Sequence, residues 1–114
     1  MKKRITSYDI QQYAAISKDT ATIHLNIEAA ARAGFKRPVA HGMYIMGLAQ
    51  SLYLIEHPSQ WITTYSMKFQ KPLLIDTVAM FNFEVCDGNI NVNVVIESGE
   101  VIASGTFTVE ERAK

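Results

Sequence analysis

The stretch HGMYIMGLAQSLYLIEH, His41 to His57, is apolar on nearly every side when wound as a helix. A helix without a polar face is one that other parts of the chain surround. The spacing predicts a helix over about Gly42 to Glu56, stopped at His57-Pro58, because proline disfavours helical geometry in the residue before it. The window is shorter than the ~20 residues that a bilayer crossing needs, and Gln50 and Ser51 interrupt it. The expectation is a buried helix of a soluble protein, with no membrane partner.

On the C-terminal side the pattern changes to strands. WITTYSMKFQKP (61–72), DTVAMFNFEVC (76–86), NINVNVVIES (89–98) and EVIASGTFTVEE (100–111) are rich in β-branched and aromatic residues with partial period-two alternation. CDGN (86–89) and ESGE (97–100) are tight turns, so the last three strands are expected to form an antiparallel meander. On the N-terminal side, Thr6 and Asp9 have capping-box spacing ahead of a helix from about Ser7 to Ser17. KDTATIHL (18–25) reads as a loop. Asn26 caps a short second helix, IEAAARA, with Glu28 in its first turn and Gly34 just past its end. FKRPVA is a connector. Helices first and strands afterwards predict one α+β domain over residues 1–114, its sheet curled around the apolar helix. One such sheet leaves an edge and part of a face open, so a homodimer is expected.

Composition narrows the function classes. A chain of 114 residues, 48% hydrophobic, has enough apolar surface for a single core. Eleven basic and eleven acidic side chains cancel, leaving no overall field to draw it onto nucleic acid or an anionic membrane. The one cysteine, Cys86, cannot form an internal disulfide and reads as a small buried hydrophobe in a reducing, cytoplasmic setting. MKKRITSYDI has the charges of a signal peptide's first region but no apolar run after them, so the chain reads as mature.

Two segments carry chemistry. Asp19 and His24 lie five residues apart, about 500° around a helix, so they converge only if the segment between them is a loop. AHGM (40–43) places His41 and Gly42 where the buried helix begins, and there the first-turn N–H groups lack intrahelical partners. A glycine lets a ligand approach that backbone closely, and such an end can hold a carbonyl oxygen that turns negative during reaction. His41 is expected to fix the loop by hydrogen bonding.

YAAISKDTATIHLNIEAAARAGFKRPVAHGMYIMGL, followed by MKFQKPLLIDTV, resembles the MaoC-like, (R)-specific enoyl-CoA hydratase family of hot-dog fold proteins. The family pattern runs Tyr-Ala, Ser-Gly-Asp-x-Asn-Pro-x-His, a small-residue helix, Gly-Phe, Pro-Ile-Ala-His-Gly-Met and a later Phe-x-x-Pro. The likeness extends from about Ile5 to Val109. It implies an α+β hot-dog fold, a long helix wrapped by a curved antiparallel sheet, with acyl-thioester sites near the interface of a homodimer. It places Asp19 and His24 where catalytic members activate a water, and Gly42 where a backbone N–H polarises the thioester carbonyl. The reaction implied is hydration of a trans-2-enoyl thioester, with no metal and no redox cofactor. The pattern's Asn-Pro is Ala21-Thr22 here, its glycine before the aspartate is Lys18, and a second family glycine is Ile75.

A thioester substrate carries phosphates and an acyl chain. Lys36, Arg37 and Lys68 are the candidate phosphate contacts. Met43 and Met46, with Tyr53, are candidate acyl-pocket residues, and His41 and Gln50 are grouped with them as substrate-binding candidates. The second function class is a non-catalytic acyl-thioester-binding or assembly module, and a hot-dog thioesterase is a third.

Overall fold

Thr6 accepts a hydrogen bond from the Asp9 N–H at 3.1 Å and so opens α1, Ser7–Ser17. The computed structural model describes residues 1–112. After α1 the chain leaves the helix at Lys18, which is left-handed at φ 65°. It then makes one helical turn, α2 (Thr22–Leu25), where the sequence predicts only loop. Ala21 offers that turn no side-chain cap, which is why nothing in the sequence marks it. The Asn26 side chain accepts from Ala29 N–H at 2.8 Å and opens α3, Ile27–Arg32. Gly34, at φ 93°, follows its end as predicted. The long helix, α4, spans Gly42–Glu56, and among the described residues no helix is long and apolar enough to cross a membrane.

Five strands form one antiparallel sheet in the order β1-β3-β4-β5-β2. They are β1 (Lys2–Ile5), β2 (Gln60–Phe69), β3 (Thr77–Cys86), β4 (Asn89–Ile96) and β5 (Val101–Glu111). The predicted meander is β3-β4-β5. Its first turn is Asp87-Gly88, both at positive φ (51° and 82°), the two-residue form whose twist matches the flanking strands. β1 is absent from the sequence expectation. Its residues KKRI are mostly charged, and it pairs along one side only, with β3 (Lys2↔Met80 to Ile5↔Thr77).

α4 packs Ile45, Ala49 and Tyr53 against Phe81, Ile90, Val92, Val94 and Phe107 of the sheet. Tyr53 and Tyr65 both meet the Phe107 ring edge-on, at 4.9 and 5.3 Å. The Tyr65 hydroxyl donates to the Met46 carbonyl at 2.9 Å, fastening β2 to the middle of α4. Gly105 lets β2 and β5 lie close, since a Cβ there would stand 2.4 Å from the Ser66 carbonyl oxygen.

Two sequence expectations are corrected. Within one chain α4 is not surrounded on every side: beyond the face that the sheet wraps, Met43 and Ile55 are 64% and 69% exposed. Cys86 is exposed, because it closes β3 at the hairpin turn, beyond the reach of the core. Trp61 is also exposed, near the start of the edge strand β2.

Candidate active site

The loop after α1, the turn α2 and the connector into α4 converge. Ile23 and His24 clamp Val39 from both sides of its peptide. Val39 N–H donates to the Ile23 carbonyl at 2.9 Å, and His24 Nδ1 meets the Val39 carbonyl. The connector is also held from its far side, by Ala40 N–H to Leu73 O (2.8 Å) and Ile75 N–H to Pro38 O (3.0 Å). A short extended segment, 38–40, thus carries the site between α2 and the chain before β3.

A carbonyl only accepts, so His24 Nδ1 carries the hydrogen and Nε2 of the neutral ring is a free acceptor. Asp19 is exposed on the loop, where it folds into a local turn with Ala21 N–H donating to its Oδ1 at 3.4 Å. A carboxylate oxygen of Asp19, a ring nitrogen of His24 and a ring nitrogen of His41 lie within 4.8 Å of one another. The predicted convergence of Asp19 and His24 is therefore present. It is achieved by a loop plus one helical turn.

His41 is buried at 2% exposure, and its Nε2 lies 2.9 Å from the Asp19 backbone carbonyl. Its ring stacks on His24 with centroids 3.7 Å apart and planes 21° off parallel. Two imidazoles so nearly parallel direct their in-plane lone pairs along nearly parallel lines. A cation in the plane of one ring lies out of the plane of the other, so the trio is poorly shaped to share an ion.

Gly42 follows His41 and begins α4, with no side-chain cap on that helix end. The Phe69 ring lies across it, 3.2 Å from where a Cβ would be. Val39, Ala40, Gly42, Ile45 and Phe69 border a groove of about 310 Å³ that runs on to Leu73. The groove thus opens beside the first-turn N–H groups of the helix end, which have no side-chain cap.

The remaining candidates divide. Lys36 is exposed beside a second cleft, bordered also by Lys71 and Thr77. Arg37 is committed to structure instead of a phosphate, with Nε donating to Ile75 O at 2.8 Å and Nη2 to Thr77 Oγ1 at 3.2 Å. Lys68 lies on the polar face of the sheet among Ser66, Glu84, Asn91 and Ser104, away from the groove at Gly42. Met43 and Gln50 are exposed, Met46 is half-buried, and Tyr53 is a core residue. Their spacing of three, four and three residues sets the four along one side of α4, but within one chain that side grades from the exposed Met43 and Gln50 to the core residue Tyr53, and the four do not line a common acyl pocket. Phe69 is the site residue that sequence reasoning passed over, although its place in the Phe-x-x-Pro signal marked it.

One sheet packed on one long helix, with a carboxylate and an imidazole at the helix's N-terminal end, is the single-unit hot-dog architecture. The chain belongs to the MaoC like domain family, whose model matches residues 1–104. It is 30% identical over 89 residues to 3-hydroxybutyryl-CoA dehydratase of Methylorubrum extorquens, covering 76% of this chain and 57% of that protein. It is 40% identical over 76 residues to 3-hydroxyacyl-thioester dehydratase X of Mycobacterium tuberculosis, covering 67% of this chain and 26% of that protein. The chain thus spans between a quarter and six tenths of these two relatives. An (R)-hydratase from A. caviae involved in PHA biosynthesis superposes with TM-score 0.85 at 22% identity, covering 97% of this chain and 91% of that one.

Proposed function

We propose that the chain is a hydro-lyase that adds water across a trans-2-enoyl thioester to give the (R)-3-hydroxyacyl product, or runs the reverse dehydration. The observation that carries this reading is the Asp19 carboxylate and His24 imidazole within 4.8 Å of each other, beside the uncapped start of α4. The names of the relatives, dehydratases of hydroxyacyl thioesters, point the same way.

Asp19 and His24 Nε2 both accept hydrogen bonds, so one water can donate to both. As its oxygen bonds to C3 of the enoyl group, one of the pair takes a proton. Charge moves through C2 to the thioester oxygen, where the Gly42 N–H stabilises it. A proton returned from the pair to C2 completes the addition, and the pair ends with as many protons as it began. General acid–base participation of this kind is typically worth ~10²–10⁴-fold in rate. No metal or redox cofactor is required, and coenzyme A or an acyl carrier enters only as part of the substrate.

The proposed working unit is a homodimer. β2 is an edge strand with its outer side unpaired, and α4 exposes Met43, Gly47, Gln50, Ser51 and Ile55 along one flank. A second copy would cover both and close the acyl pocket that one chain lacks. Lys36 and Lys68 are then phosphate candidates in the assembly. The exposed thiol of Cys86 fits a reducing compartment, and the cytoplasm is the proposed location.

A binding module without turnover is the second reading, and the uncapped turn α2 favours it, since that turn aims His24. The deciding experiment follows loss of enoyl absorbance with crotonyl-CoA and with a medium-chain enoyl-CoA, in the native protein and Asp19→Asn, with the product's chirality determined. Asp19-dependent loss giving the (R)-3-hydroxy product supports the hydratase. No loss with either substrate in a folded dimer moves the assignment to the binding module.

A further inference from the structure

Resting on the hydratase reading, we infer that His41 is the positioning residue of this site. From one buried ring it holds both the peptide that carries Asp19 and the face of His24.

The loop needs such a brace. Its own bonds are short-range and long: Asp19 N–H to Ser17 Oγ at 3.3 Å and Ala21 N–H to Asp19 Oδ1 at 3.4 Å. Lys18 ahead of it is left-handed, and Ala21 after it has no side chain with which to cap α2. Among the described residues, the one bond from Asp19 to a distant segment is the 2.9 Å contact between its carbonyl and His41 Nε2. That bond joins the loop to the first residue before α4, so the acid is referenced to the start of the long helix.

The same ring orders His24. The 3.7 Å stack sets the plane of His24, while the Val39 carbonyl sets its rotation. Tyr13 packs on His41 at 4.9 Å and meets Tyr44 of α4 edge-on at 5.6 Å, so the ring of His41 is wedged in place. The two histidines therefore have opposite tautomers. His24 carries its hydrogen on Nδ1 and presents a bare Nε2 to water. His41 carries its hydrogen on Nε2 and leaves Nδ1 bare, buried and without a partner. A hydrogen on that Nδ1 would be a buried N–H without an acceptor, so the geometry fits the Nε2–H tautomer. On this inference His41 acts through Asp19 and His24, as the expectation that it fixes the loop by hydrogen bonding implies, and its burial turns it away from the substrate-binding role also expected of it.

The test begins with the native protein labelled with ¹⁵N at histidine. A hydrogen on Nε2 of His41 and on Nδ1 of His24 is expected, and the reverse tautomer at His41 overturns the inference with no variant needed. His41→Phe keeps a stacking ring and removes the donor, whereas His41→Gln restores an N–H donor without the stack. Expected for His41→Phe are a fall in kcat of at least ~30-fold, KM within ~3-fold, a shifted Asp19 amide resonance and a mixed tautomer at His24, with partial recovery of kcat in His41→Gln. A merely structural residue would lower the unfolding temperature in both variants and leave kcat per folded molecule unchanged. His41→Phe with kcat within twofold of native, or with an unshifted Asp19 amide, overturns the inference. If the native protein turns over no enoyl thioester, the hydratase reading fails, and the tautomers and the Asp19 amide still decide whether His41 positions the pair.

Discussion

Lys18 turns the chain out of α1 at φ 65°, a conformation that costs a side chain with a Cβ roughly 1–2 kcal/mol and glycine almost nothing. Part of that difference returns as extra freedom in the unfolded chain. Lys18→Gly is thus expected to raise stability by up to about 1 kcal/mol, read as a higher urea midpoint. Asp19→Asn and His24→Ala should each reduce enoyl-thioester hydration by at least ~100-fold. Asp19 is exposed, so the asparagine variant should unfold within about 2 °C of native, because substitutions away from buried features seldom move stability much. Hydration by either variant at the native rate would remove that residue from the mechanism. Asp19, His24 and Gly42 were legible in the sequence as candidates because they fall at the positions of the family pattern that the chain resembles, and the structure brings Asp19 and His24 together. That His41 fixes a loop by hydrogen bonding was expected, but its partner, the Asp19 carbonyl, was not legible. The bond links residues 22 apart through a backbone atom, and no side-chain pattern encodes that.

At the level of elements, the sheet rests on close fits that single substitutions reach. Gly105→Ala forces β2 and β5 apart, since the added carbon would stand 2.4 Å from the Ser66 carbonyl oxygen. A loss of about 2 kcal/mol or more is expected by chemical denaturation, as for other overpacked sites. Tyr65 ties β2 to α4, and burial pushes its pKa up to about 12 from 10.0. The unfolded chain releases that proton near pH 10, while the folded chain holds it to about 12. The stabilising share of Tyr65 is therefore intact below pH 10 and is lost as pH climbs toward 12. Tyr65→Phe should flatten that alkaline decline, leaving the smaller part due to Tyr44 and Tyr53, which burial also raises. An unchanged slope would show that the hydroxyl is not protected in solution. Three helices and four strands were legible because their caps, turns and periodicities are local. β1 was not, because KKRI becomes a strand only when Thr77–Met80 is beside it. α2 was not, because its position is fixed by the clamp on Val39 and not by a cap.

The whole molecule is elongated, 50 × 30 × 20 Å. Its radius of gyration is 15.0 Å, against about 13 Å for a compact chain of this length. That shape suits one half of a larger body, and sedimentation should find no stable monomer. Met43→Glu combined with Ile55→Glu places charge on the open flank of α4 and should release monomers. A dimer that survives both changes would place the interface elsewhere. The order of the elements has a further consequence, one of timing. The ribosome completes α4 before strands β2 to β5, whose residues pack on Ile45, Ala49 and Tyr53, exist, and β5 ends at Glu111, 55 positions after Glu56. At ~5–20 residues per second, Ile45, Ala49 and Tyr53 wait roughly 3–11 s for their partners. During each round of synthesis the most apolar segment of this chain is thus a newborn surface without a lining, and the yield of folded protein should depend on what shelters it in those seconds.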